Sequence, residues 1–451
     1  MPTSDKHDTH NKALSINLDG TIFGSFAEIG AGQEVARWFL RVGGASGTVA
    51  KTISAYDKEV SDDLYGAGTR YVSKPRLEAM LDNEWAQLLN QLHASRGATS
   101  KFFSFVDTIS ARNYAGTNDC HGWMGLRFLQ QAGGEPSQIL LHVNLRDSTN
   151  LRQQEAVGIL GVNLIYATHH ALRSATEFLA SLFEDLSLQR AEIDSVDLAG
   201  PAFAGWDRQL LHAQLVADGY AEAVAFTGDN QYWPANELLY KRALVLAPGR
   251  FESVELLHGE LIRSTLADLP EPEVKDTKGA LGLFCLSTAA GNGGGPPVTA
   301  QEMVDQVVEL QKLGYGVMVF RARELYTMSA FVNRYTKSRI HFAIGLTVLV
   351  KVLQDSYHVL AGSLLEGIAR LFAQNVKLTV YPMAVQEVER RVKNAGLTGW
   401  TWQVRDGMVY AHELFPDAPL GHLYRYLLSS EFILIGKPSG DQAAARSEGA
   451  K

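Results

Sequence analysis

Four side chains in the N-terminal third of the chain are of types that move protons: Asp19, Asp107, His121 and His142. Carboxylates and imidazoles act as general acids and bases when neighbours tune them, and a carboxylate also holds a hard cation. Asp107 lies near the end of an apolar run, and a turn bearing Asn118, Asp119, Cys120 and His121 follows that run. His142, Asn144 and Arg146 recur at every second residue, the period that sets strand side chains on one face. If the runs around them are neighbouring strands, Asp107, His121, His142 and Arg146 would line one sheet surface. A polar loop beside a solvated face would use the same residues.

A second group suits an anion. Gly43, Gly44, Ser46, Gly47 and Thr48 form a glycine-rich turn with Lys51 just beyond. Such a turn, read as opening a helix, would aim successive backbone N–H groups at a phosphate. The spacing matches neither GxxxxGK[ST] nor GxGxxG, so neither a P-loop nor a dinucleotide fingerprint is present. Arg321 and Arg323 follow the apolar run Val317–Phe320, where a parallel sheet presents ligands beyond its strand ends. Guanidinium groups there would clamp phosphate or carboxylate.

These residues need a scaffold. Ala13–Leu18 reads as a strand stopped by Asp19-Gly20, after a disordered lead of residues 1–12. Glu28–Val42 has helical spacing, and Arg76–Ala94 reads as an amphipathic helix. Phe102–Ile109, Met124–Leu129 and Gln138–Leu145 read as strands whose short, turn-rich links favour an antiparallel meander. Helices Glu155–His169 and Ala171–Leu186 follow. From residue 192 strands alternate with helices, which implies a largely parallel, doubly wound sheet. The fold class is therefore α/β with a mixed sheet. Its expected parts are residues 13–188 and 189–436, with a polar hinge at 270–276, a glycine-rich tract at 291–297 and a disordered tail at 437–451.

Composition excludes several classes. Formal net charge is −8 over 451 residues, which disfavours nucleic-acid binding through phosphates. The two cysteines, Cys120 and Cys285, lack CxxC neighbours, so a zinc site and a disulfide framework are both unsupported. No apolar run reaches the ~18 residues of a membrane span, and the polar N-terminus lacks a signal peptide's apolar core. The expected location is the cytoplasm.

Two resemblances bear on function. Ile16-Asn17-Leu18-Asp19-Gly20-Thr21 resembles the first motif of haloacid-dehalogenase-like phosphatases, an apolar strand ending in Asp-x-Asp-Gly-Thr. Asn17 replaces the nucleophilic Asp, and an amide forms no aspartyl-phosphate, so the motif is degenerate. More broadly, LDGTIFGSFAEIGAGQEVARWFLRVGGASGTVAKTISAYDK, NDCHGWMGLRF, NLRQQEAVGILGVNLIYA and LSSEFILIG are similar to segments of an uncharacterised family of bacterial cytosolic proteins. Two inconsistent labels attach to that family: TonB-dependent receptor and nicotinate- or nicotinamide-nucleotide adenylyltransferase. The first implies a signal peptide and a lipid-facing barrel, which this sequence lacks. The second implies an HxGH-type motif after the first strand, and the first histidine beyond that region is His93.

The expected function is binding of a nucleotide or phosphorylated metabolite, extending to nucleotidyl or phosphoryl transfer. Asp19 would hold Mg2+ with the nucleotide. The expected partner is a small phosphorylated molecule, with neither nucleic acid nor membrane involved. The rival reading is a non-catalytic, self-assembling scaffold, hence a homo-oligomer.

Overall fold

The computed structural model describes residues 8–68, 70–228, 232–249, 251, 254–269, 278–289, 298–354, 360–395 and 399–437. It divides into two compact units, Met1–Val224 and Ala225–Lys451. The expected lead at 1–7, hinge at 270–276, glycine tract at 291–297 and tail beyond 437 lie outside the described residues.

The first unit opens with a helix, α1 (Thr9–Leu18), where a strand was expected. Asp8 caps it by accepting from Asn11 N–H, and Thr9, Lys12, Ala13, Ile16 and Asn17 form one buried face. That spacing is helical, but polar residues occupy several of the buried positions. The strand comes next, β1 (Ile22–Ile29), buried along nearly all its length. Covered on both faces, it shows no alternation to read. Glu28, expected to open a helix, belongs to this strand, and the helix is α2 (Glu34–Arg41).

After α2, Gly43 and Gly44 adopt φ of 90° and 74°, a left-handed turn that suits glycine. A single 3-10 turn, Ala45–Gly47, then feeds strand β2 (Val49–Ile53), not a helix. Helices α3 (Lys58–Tyr65) and α4 (Lys74–Arg96) lead to β3 (Lys101–Ser110), β4 (His121–Leu129) and β5 (Pro136–Leu145). The meander is as expected: β3–β4 and β4–β5 are antiparallel. Helices α5 (Asn150–His170) and α6 (Ala175–Leu182) precede β6 (Ala191–Ala199), and α7 (Arg208–Ala217) follows. Strand β6, expected at the head of the C-terminal part, is hydrogen-bonded to β5 in the first sheet.

The sheet order is β2-β1-β3-β4-β5-β6, with β1 parallel to both β2 and β3. On one face Leu77, Met80 and Leu81 of α4 cluster with Ala27, Val106, Trp123 and Leu140. Each such side chain contributes roughly 1.5–3 kcal/mol by leaving water. The other face carries Phe26, Phe103 and Phe105 in ring contact. There Gly161 of α5 lets Val35 of α2 and Phe105 approach to where a Cβ would stand.

The second unit is built on a seven-stranded sheet containing β7 (Ala223–Phe226), β8 (Arg242–Pro248), β9 (Lys278–Ser287), β10 (Gly316–Phe320), β11 (Ile340–Gly345) and β12 (Val376–Tyr381). Two short antiparallel pairs stand apart: β13 (Met383–Ala384) with β15 (Met408–Val409), and β14 (Trp400–Trp402) with β16 (Leu414–Pro416). The last strand, β17 (Ile433–Ile435), returns to the main sheet, whose order is β17-β12-β11-β8-β9-β10-β7. The pairings β17–β12, β12–β11, β11–β8, β8–β9 and β9–β10 are all parallel, as the alternation of strands and helices implied.

Candidate functional site

Polar residues concentrate at one end of the first sheet. The carboxyl ends of β1, β3 and β5 meet the amino ends of β4 and β6 there, through the partners Glu28↔Asp107, Ser110↔His121, His121↔Asn144 and Asn144↔Glu192. At the opposite end the partners are Phe23↔Phe102, Phe103↔Phe128 and Leu129↔Pro136. The polar rim is also where the chain leaves β1 for β2 by way of α2 and returns to β3 by way of α3 and α4. Open α/β sheets bind ligands beyond the carboxyl ends of strands at such a switch.

Within this rim, three side chains form a chain of hydrogen bonds. The Asp194 carboxylate lies 2.6 Å from His142 Nδ1, and His142 Nε2 lies 3.1 Å from His121 Nδ1. Register explains how Asp194 arrives. His142 faces Ser195 while Val143 faces Ile193, so Asp194 is the extra residue of a bulge, and bulges re-aim side chains. Trp123, the cross-strand partner of His142, packs its ring edge-on against the imidazole at 5.1 Å. His142 and Asp194 are buried, whereas His121 is half-buried.

Charge follows from these bonds. An ionised Asp194 only accepts, so the Asp194–His142 bond would be donated by His142 Nδ1, and the tautomers of the two rings set the direction of the His142 Nε2–His121 Nδ1 bond. Burial, with His142 beside it, lowers His121 to about 4, and Arg70 adds to the lowering. At neutral pH the ring is uncharged. Next along the rim, Arg146 pairs with buried Glu192, and Glu222 lies 3.3 Å from the same guanidinium. Burial raises Glu192 to about 7 against the pull of Arg146.

The sequence analysis expected four residues on this face. His121, His142 and Arg146 share it, but Asp107 pairs with Met124 and so points to the other face. There it is buried beside Glu28, whose carboxylate accepts from Val35 N–H at 3.0 Å and Ala36 N–H at 2.9 Å. Asp194 escaped the sequence reading because a bulge breaks the period-two pattern.

The remaining candidates are dispersed. Asp19 caps the end of α1 and accepts from Thr21 N–H and Oγ, with Lys101 Nζ 3.6 Å away. Those partners hold its carboxyl below the usual range despite the opposing effect of burial. An ammonium beside a single carboxylate is a poor cradle for Mg2+. Among the described residues no three His, Cys, Asp or Glu side chains converge on a metal position. Asn17, expected at the end of a strand, lies on α1 and donates to the Phe39 and Gly43 carbonyls. The turn at Gly43, Gly44, Ser46, Gly47 and Thr48 is anchored to α1 instead of opening a helix. Lys51 pairs with buried Glu84 at 2.6 Å and with Gln87 at 2.8 Å. Arg321 and Arg323 follow β10 in the second unit, and Arg323 directly precedes Glu324, the N-cap of helix Leu325–Tyr335.

No protein-family model matches the chain, and no curated protein does. Among solved structures, competence/damage inducible protein CihA from Agrobacterium tumefaciens is 19% identical, over 36% of this chain and 94% of that one, with a TM-score of 0.26. Competence-damaged protein (CinA) superfamily proteins from Enterobacter cloacae and Escherichia coli are each 13% identical, over 37% and 41% of this chain and 95% of each of theirs. Their TM-scores are 0.26 and 0.25. No helix of the described residues is long and apolar enough to cross a membrane.

Proposed function

We propose that the protein binds a nucleotide or another phosphorylated small molecule in its second unit. Sheet order carries this reading. Six strands run β10-β9-β8-β11-β12-β17, so the chain builds outward from β8 to β10, crosses back, and builds outward again from β11. Numbered from β8, that is the order 3-2-1-4-5-6 of doubly wound dinucleotide-binding sheets. In doubly wound sheets of this order the ligand crevice lies beyond the carboxyl ends of the first and fourth strands, which here end at Pro248 and Gly345.

Sheet order supports a ligand site there but does not name the ligand. Its charge is argued from Arg321, exposed directly after β10, and Arg323 two residues on. Guanidinium groups recognise phosphate in bidentate fashion. The clamp is assigned to these residues because Lys51, the lysine of the glycine-rich turn, is already bound by Glu84. Phosphoryl or nucleotidyl transfer is the activity such a ligand would serve.

Thermal unfolding in the presence of ATP, NAD or inorganic phosphate tests the reading. A ligand at ~100 times its Kd stabilises by ~2.7 kcal/mol, a readily measured rise in midpoint. The rise is expected to shrink in Arg321→Ala and Arg323→Ala. If none of the three compounds moves the wild-type midpoint, the reading fails. Large assemblies that form without ligand, seen by light scattering, would favour the scaffold instead.

A further inference from the structure

We propose that the ligand of the second unit is a nucleotide with a phosphomonoester on its ribose, received by Arg321 together with the hydroxyls of Ser287 and Thr288. This rests on the nucleotide reading above and names which nucleotides the site takes.

Strand order assigns the place. Counted from β8, β9 is the second strand of the doubly wound order and β10 the third. In dinucleotide sheets of this order the second strand ends beside the adenosine ribose. A carboxylate at that point accepts from the ribose 2′-hydroxyl, whereas an arginine there accommodates a 2′-phosphate. Strand β9 ends in Ser287, and Thr288 and Ala289 follow it. Hydroxyls thus stand where a carboxylate would select the bare diol.

Register brings the arginine to the same point. Ser287 is the partner of Phe320, the last residue of β10. One residue on, the Thr288 N–H still donates to the Phe320 carbonyl at 2.9 Å, so Thr288 and Arg321 leave the sheet side by side. Adjacent strands lie ~4.8 Å apart, a gap that one phosphate can bridge between a hydroxyl and a guanidinium. Arg321 is exposed, and among the described residues it makes no hydrogen bond or ion pair. Its charge is therefore not neutralised within the fold. The nearest acid in sequence, Glu324, accepts from the Arg323 N–H at 3.3 Å.

The donors match a phosphate. Ser287 Oγ accepts from the Ala289 N–H at 3.2 Å, and a hydroxyl that accepts keeps its own proton to donate. Thr288 is 7% exposed, and its hydroxyl has no partner among the described residues. A phosphomonoester brings about −1.5 to −2 charge at neutral pH and three acceptor oxygens. Arg321 offers a fork of donors to them, and the two hydroxyls offer one each. A bare ribose diol gains less from the same residues, because a guanidinium has no acceptor for its O–H groups.

Calorimetric titration of the full chain compares NADP with NAD, and 2′-AMP with 5′-AMP. The 2′-phosphorylated member of each pair is expected to bind roughly 10- to 100-fold tighter, the scale of charge-assisted hydrogen bonds. Arg321→Ala, a surface change, should weaken NADP more than NAD and bring the two affinities together. Ser287→Asp puts a carboxylate at the end of β9 and should reverse the order, so that NAD binds tighter than NADP. Circular dichroism checks that both variants fold; if one does not, the wild-type comparison and the other variant decide. Equal affinities in wild type, or a preference for NADP that persists in Arg321→Ala, overturn the proposal and leave the nucleotide reading standing. Binding of ATP without NADP or 2′-AMP does the same. If no nucleotide binds, both fall together.

Discussion

Lys12→Ala is expected to destabilise the first unit by about 3–5 kcal/mol, the range for removing one partner from a buried ion pair. Lys12 lies on α1 with no exposed surface, and its ammonium reaches Glu184 at 2.5 Å, Asn163 Oδ1 at 2.9 Å and the Ser181 carbonyl at 2.9 Å. Burial lowers its pKa in spite of Glu184. One side chain thus ties α1 to α5, α6 and the segment after α6. Deleting it leaves two acceptors without their donor and Glu184 without its counter-charge. Glu184 is about one-third exposed, so water recovers part of that loss and the low end of the range applies. Lys12→Met keeps most of the apolar stem and removes only the charge, so it should cost less. Equilibrium urea unfolding of the three proteins checks the order. If Lys12→Ala matches wild type within about 0.5 kcal/mol, the size of an ordinary surface change, α1 is not held this way.

Lys12 also shows why the opening of the chain was misread. Its neighbours on the buried face, Thr9, Ala13, Ile16 and Asn17, repeat with helical spacing. A search for apolar periodicity discounts Lys and Asn and leaves only the short run Ala13–Leu18. The meander was legible because each strand is apolar and its turns are rich in glycine and asparagine. Strand β1 was not, since burial on both faces removes alternation. The histidines of the rim could be picked out by the period-two spacing of His142, Asn144 and Arg146. Their carboxylate partner could not, because Asp194 reaches His142 only through a register shift between β5 and β6. Long-range pairing hid the sheet order of the second unit as well. Strands β8 and β11 are neighbours although two strands intervene in sequence.

The buried carboxyls Glu28 and Asp107 lead to the second large effect, on the dependence of stability on pH. They are register partners on parallel strands, and neither is exposed. Glu28 accepts two N–H groups at the start of α2, whereas among the described residues Asp107 accepts only from Ile29 N–H and leaves Oδ2 buried without a partner. Burial raises Glu28 to about 7, and burial with Glu28 alongside raises Asp107 well above its ordinary value. The folded unit therefore keeps protons that the unfolded chain loses above pH ~4. Raised carboxyls stabilise at low pH, and that contribution disappears as pH climbs through the folded values. The slope is at most about 1.4 kcal/mol per pH unit for each proton. Lowered histidines such as His121 and His212 act in the opposite sense, but only up to their unfolded value near 6.5. Between pH 6.5 and 8 the carboxyls dominate, with buried Glu192 adding to the decline. Asp107→Asn presents an amide where the protonated acid stood, and it cannot ionise. It should gain on wild type as pH rises, by on the order of 1 kcal/mol across that window. Glu28→Gln should be destabilising at every pH, because its amide nitrogen would face the N–H groups of Val35 or Ala36. Urea unfolding of all three proteins at pH 6.5, 7 and 8 makes the comparison. Parallel declines in wild type and Asp107→Asn would mean that Asp107 is already ionised in the folded protein.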